Sequence, residues 1–191
     1  MEGARNPDAV RHAELVVLTV PACGHREVLR AIAPHVRGRV VVDTCVCHHH
    51  ARPGVWVGPA EGSAALRVRR ALPPTAAVAA TLHAVSSRTL RDPARFPPGD
   101  VPVAADGPAS LQAAAHLLDE LGLPWVDAGG LEVAAVLENL AALLAALSDR
   151  HGVHRPAARF LGLPAGGSKP AADGDRPPAL SHRGWPPSPR A

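Results

Sequence analysis

The sequence predicts an α/β fold with a mostly parallel sheet and a long C-terminal helix. Three observations carry this. From Glu14 to about Leu163, short β-branched runs alternate with Ala/Leu-rich runs of helical period. Leu15–Val20 (LVVLTV) is continuously apolar, as expected of a strand covered on both faces. Residues 131–147 form an apolar stretch that must bury itself against the sheet or a partner.

In chain order, Leu15–Val20 is the first strand. Gly24–Val36 reads as a helix stopped near Gly38, and Arg39–Cys45 (RVVVDTC) as a second buried strand. A loop with Pro53, Gly54 and Pro59 precedes a helix over Glu61–Leu72, which Pro73-Pro74 ends. Ala76–His83 is an Ala-rich third strand. Residues 86–100 hold three prolines and read as loop. Val101–Ala105 is a fourth strand, and Ser110 is expected to cap a helix over Leu111–Leu121 that Gly122 closes. Pro124–Asp127 is the last strand, and Gly129-Gly130 opens the long helix to about Arg150. Residues 164–191 hold seven prolines and four glycines, and are expected to be a disordered tail after a folded part over 1–163.

Composition excludes several classes. No run of about 18 apolar residues appears, since Glu132, Glu138 and Asn139 interrupt 131–147. Three cysteines make no disulfide framework, so a cytoplasmic setting is expected. The net charge is +3, but the tail holds four basic and two acidic residues. The folded part is therefore nearly neutral and poor in aromatics, which argues against a nucleic-acid surface. Nineteen arginines against one lysine (Lys169), with 37 alanines, fit GC-rich codons such as those of an actinobacterial genome.

In open parallel sheets, ligands sit beyond the carboxyl ends of the strands. That rule selects Pro21–His25, Thr44–His50, His83–Ser87 and Asp127–Gly130. Val20-Pro21 followed by a helix is either a plain turn or a ledge under a nicotinamide or ribose, with His25 near the helix start. Cys45 and Cys47 share a face of an extended segment, so both could approach one metal with His48 completing the site, and Cys23 and His25 are expected on the neighbouring loop. The alternative is a solvated His run beside two reduced thiols, and the spacing matches no established zinc module. His83 is read as a structural hydrogen-bonding group or a site residue, and Ser86 and Ser87 as caps or loop residues. No G-x-S-x-G, P-loop or G-x-G-x-x-G motif occurs.

Taken in order, Ala13–Pro21 (AELVVLTVP), Gly38–Thr44 (GRVVVDT), Pro59–Ala65 (PAEGSAA) and Ala79–Ser86 (AATLHAVS) resemble the NADPH-dependent reductases of the deazaflavin coenzyme F420. So do Asp100–Val103, Asp127–Leu131 (DAGGL), Leu137–Leu140 (LENL) and His151–Leu163, ending in FLGL. The resemblance covers about residues 6–163. It implies a Rossmann-like fold, here expected to be truncated by roughly 60–70 residues that carry the Gly-rich phosphate turn. It also implies an oxidoreductase using NADP and F420, which passes hydride directly between the two rings without a protein acid or base. Val20, Pro21 and His25 would then lie on the nicotinamide side, and His83, Ala84, Val85 and Ser86 by the deazaflavin. Thr44 joins this cofactor-binding set. No catalytic residue is assigned. The alternatives are an inactive remnant acting as a binding or partner protein, and a metal-binding protein using Cys45, Cys47 and His48. The helix at 131–147 is expected to offer a homodimer contact.

Overall fold

The computed structural model describes residues 3–21, 23–47, 49–52, 55–57, 59–91, 99–154 and 156–163. The expected tail over 164–191 lies outside the described residues, as does His48. The elements are α1 (Asn6–His12), β1 (Leu15–Leu18), α2 (His25–Ile32), β2 (Val40–Asp43), β3 (His49–Arg52), β4 (Val55–Val57) and α3 (Ala64–Ala71). They continue with β5 (Ala77–Ala80), α4 (Ser87–Arg91), β6 (Val101–Ala105), α5 (Pro108–Glu120), β7 (Trp125–Gly130) and α6 (Ala134–His151).

The main sheet has five strands in the order β1-β2-β5-β6-β7. β1, β2 and β5 are parallel, and so are β6 and β7. The one reversal is the antiparallel β5–β6 pair. The mostly parallel sheet therefore stands, in two parallel blocks. Helices cover both faces, which is why the strand interiors are apolar on both sides. On one face Val16, Val41, Val78 and Ala104 pack with Leu29 and Ile32 of α2, Val68 of α3 and Leu137 of α6. On the other, Val42, Ala79 and Val103 pack against Ala114 and Leu118 of α5. β1 is the sheet edge, and its cover is incomplete: Val17 is 39% exposed.

Several expectations need correction. β3 and β4, in a stretch read as loop, pair antiparallel. Part of 86–100 is helical, as α4. Ser110 is not the cap of its helix. α5 starts two residues earlier, at Pro108, whose ring presets a helical first turn. Ser110 instead donates to Asp106 Oδ1 at 2.8 Å from within that turn. Gly129 and Gly130 end β7 rather than opening the long helix, and a 3-10 turn over Leu131–Val133 intervenes. The reversal at β5–β6 turns the β6–β7 block around, and Asp127–Gly130, which pairs with Val103–Ala105, lies level with the last residues of β5 through Ala79↔Ala105 and Ala80↔Ala104.

By length and composition, Leu131–His151 is long and apolar enough to cross a membrane. Ala134, Leu137 and Ala142 are buried within this fold, while Val136 and Leu143 are exposed. Gly152 ends α6 at φ 61°, a left-handed C-cap that glycine takes without a Cβ penalty. The chain then returns past Gly99, where an added Cβ would stand 2.8 Å from Ala157 Cβ and 2.9 Å from the Ala158 carbonyl.

Candidate functional site

Three of the four selected segments meet at the carboxyl edge of β1, β2 and β5. β1 gives way to Val20 and exposed Pro21, whose carbonyl accepts the Gly24 N–H at 3.0 Å in the turn into α2. β2 ends at Asp43, and Thr44 follows. Both the N–H and the hydroxyl of Thr44 donate to the Leu18 carbonyl, at 3.1 and 2.9 Å. Thr44 thus ties the ends of β1 and β2 together. β5 ends at Ala80, and the chain turns sharply at Leu82, the one non-glycine residue of positive φ among those described (65°). The turn is closed by Val85 N–H to Leu82 O at 3.0 Å.

That turn presents His83, Ala84, Val85 and Ser86 to α6. Between them lies a cavity of about 220 Å³, lined also by Ala141, Leu144, Ala145, Ser148 and Pro156. Ser86 caps α4, accepting from Thr89 N–H at 3.1 Å. Small side chains on α6 leave the space: Ala141 and Ala145 are four apart and so share one helix face.

Beside the cavity, a polar cluster is sealed inside the core. His25, the first residue of α2, is fully buried. Its Nε2 lies 3.5 Å from Asp43 Oδ1, and its Nδ1 lies 3.8 Å from Cys47 Sγ. Cys45 donates its thiol proton to Leu18 O at 3.4 Å. Burial opposes charge on the His25 ring, but hydrogen bonding from Asp43, Cys45 and Cys47 outweighs it and holds the imidazolium up to about 11. Burial likewise pushes the Cys45 thiol up. Arg67 contacts Cys47 Sγ at 3.6 Å and pairs with Glu61 at 3.1 Å. Glu61 is held below the usual carboxylate range by Arg67 first, with Arg26 adding to it. Glu138 of α6 completes the group. Its Oε1 accepts from Ala64 N–H at 2.6 Å, and Oε2 lies at a long 3.5 Å from Cys47 N. Burial drives its pKa up to about 7 against those amides.

The structure thus brings His25, Cys45 and Cys47 together, while Cys23 is exposed on the turn before α2. His25 faces into the cluster, beneath the surface that Pro21 offers. Asp43, Glu138 and Arg67 were not selected from the sequence. Asp43 carried a signal, as a charge ending the run Val40–Val42. Glu138 carried another, as an acid inside an apolar helix.

Two relatives share much of the chain. The F420-dependent NADP reductase of Methanothermobacter thermautotrophicus is 34% identical over 169 residues, 86% of this chain and 73% of the relative. The F420-dependent NADP reductase of Methanothermobacter marburgensis is 30% identical over 169 residues, 86% of this chain and 75% of the relative. Among solved structures, a protein of Arthrobacter sp. FB24 described as a candidate F420-dependent NADP reductase superposes with a TM-score of 0.74. It is 23% identical, covering 82% of this chain and 73% of that one, and it supports the Rossmann-like fold. No protein-family model matches the chain. On the strength of these two relatives, this chain belongs to the F420-dependent NADP reductases, a family of oxidoreductases.

Proposed function

We propose that the carboxyl edge of β1, β2 and β5 brings the nicotinamide of NADP and the deazaflavin of F420 together for direct hydride transfer. The single observation that carries the reading is the cavity between His83–Ser86 and α6, in a chain of this family. Its volume, about 220 Å³, is below the roughly 300–1,000 Å³ of whole-ligand pockets. It suits one ring system rather than an entire cofactor. Its lining fits such a group, with apolar walls from Ala84, Val85 and Leu144 and hydroxyls on Ser86 and Ser148 to orient polar ring edges.

When bound, the two cofactors supply the hydride donor and acceptor, and the chemistry asks the protein for position and water exclusion. Val20, Pro21 and Thr44 form the nicotinamide side, with His25 beneath them fixing the start of α2. His83, Ala84, Val85 and Ser86 hold the deazaflavin. The unit responsible is residues 1–163. The exposed Val136 (63%) and Leu143 (54%) stand seven residues apart on α6, and we assign them to a homodimer contact.

The test is turnover by the tag-free chain mixed with NADPH and oxidised F420, followed by loss of NADPH absorbance. Hydride transfer above the protein-free rate supports the reading. No transfer, with no F420 binding by fluorescence titration, overturns it. Sedimentation checks the dimer, and a monomer at micromolar concentration would remove that assignment.

A further inference from the structure

We propose that His25, Asp43 and Cys45 form a binding site for one zinc-type divalent ion in the sealed core beside the cavity. Their nitrogen, oxygen and sulfur donor atoms all lie within 4.8 Å of one another. All three residues are buried, His25 and Asp43 completely and Cys45 to within 4%. The fold, and not one loop, assembles them. His25 opens α2, Asp43 closes β2, and Cys45 sits two residues further on in the extended segment.

A second, independent observation points to a ligand. His25 Nε2 and Asp43 Oδ2 are buried with no hydrogen bond of ordinary geometry among the described residues, Nε2 having only the 3.5 Å approach of Asp43 Oδ1. Buried polar atoms are normally satisfied, and an orphaned nitrogen and oxygen side by side suggest a shared missing partner. The spacing agrees. The 3.5 Å between Nε2 and Asp43 Oδ1 is long for a charge-assisted hydrogen bond, which closes to about 2.7–2.9 Å. It is close to the nitrogen–oxygen edge of a tetrahedral zinc site, roughly 3.3–3.5 Å for zinc–nitrogen and zinc–oxygen bonds of about 2.0–2.2 Å.

Charge and softness select the ion. A divalent cation with the Asp43 carboxylate and the Cys45 thiolate sums to zero, which suits a site without solvent contact. One thiolate and one imidazole disfavour magnesium and calcium, and a carboxylate disfavours copper(I), leaving zinc as the best match. On binding, the Cys45 proton now directed at Leu18 O and the His25 Nε2 proton that faces Asp43 are both released to solvent. Cys47 lies on the other ring nitrogen, Nδ1, where it acts as the outer partner that fixes the ring.

The test uses the full 191-residue chain without a tag, stripped with chelator and titrated with zinc and then with cobalt(II). The expected result is one equivalent of metal and a near-ultraviolet thiolate-to-cobalt charge-transfer band. Cys45→Ser should abolish the band and lower zinc affinity by more than the roughly 10- to 100-fold that loss of an outer partner costs. Cys23→Ser, Cys47→Ser and replacement of His48, His49 and His50 by alanine should keep the band. No band in the parent chain overturns the proposal, and that result needs no variant to fold. A band that survives Cys45→Ser but disappears with the His-run or Cys47 replacement overturns it equally, by locating the metal elsewhere.

Discussion

Glu138 reaches from the second turn of α6 to the first turn of α3, where its Oε1 accepts the Ala64 N–H at 2.6 Å across 74 residues of sequence. Ser63 caps the same helix locally, accepting from Leu66 N–H at 3.0 Å. Two of the amides that any helix start leaves open are therefore closed, one by a neighbour and one by tertiary structure. The same carboxyl approaches Cys47 N, so α6, α3 and the segment after β2 share one buried group. Glu138→Ala should cost about 1–3 kcal/mol for the stranded amide, plus the cavity left behind. Denaturant unfolding near neutral pH measures it.

The pH dependence of that group has a definite sign. Burial raises the Glu138 pKa from 4.5 to about 7, with the Asp43 charge adding to it and the amides of Ala64, Cys47 and Ala65 opposing. The cations near Cys47 are His25 and Arg67. A folded pKa above the unfolded one means the fold prefers the protonated acid. That contribution is fully present below about pH 4.5 and is lost as pH rises through about 7. Glu138→Gln cannot titrate. Its stability relative to the parent should therefore rise between these pH values, read from unfolding midpoints across the series. A difference that stays constant with pH would contradict the assignment.

Asp106 is a second cross-link. Its Oδ1 accepts from Val78 N–H at 2.9 Å and Ser110 hydroxyl at 2.8 Å, while Oδ2 pairs with Arg69 at 2.8 Å. Arg69 also donates to the carbonyls of Leu72, Pro73 and Ala76. One carboxylate thus joins β5, α3 and α5. Asp106→Ala should destabilise by on the order of 2–3 kcal/mol by stranding the Val78 amide, and Asp106→Asn by less. Urea titration separates the two.

Much of this architecture was legible because it depends on local apolar runs. β2 reads from Val40–Val42, and β6 was bounded correctly by the residues of Val101–Ala105. Strand direction was not legible. Nothing in an apolar run encodes which way it pairs, so the β5–β6 reversal became visible only in the sheet. The hairpin was missed because His49–Arg52 shows no apolar alternation. In the site, Cys45 and Cys47 stood out by type, and His25 by its position after a strand. Glu138 was weighed only as an interruption of an apolar stretch, since its partners lie 74 and 91 residues away.

Leu82 sets two costs against each other. Its φ of 65° strains an L-residue by about 1–2 kcal/mol, which glycine would relieve. Its side chain is 9% exposed and packed with Val42 and Ala79, and losing a buried leucine costs about 2–5 kcal/mol. Burial wins, so Leu82→Gly should be less stable by thermal unfolding. It should also loosen the turn that presents His83–Ser86.

Ala141 tests the cavity directly. It stands on α6 facing His83–Ser86, and a leucine there fills space that a ring would need. Overfilling a packed site costs about 1–3 kcal/mol, which is roughly 5- to 150-fold in affinity. Ala141→Leu should therefore raise the Kd for F420 by a factor in that range while leaving the unfolding midpoint nearly unchanged. Ala146→Leu is the control, because Ala146 is exposed and does not line the cavity. It should change neither quantity. Equal F420 affinity in both variants would show that the deazaflavin is held elsewhere on the sheet edge.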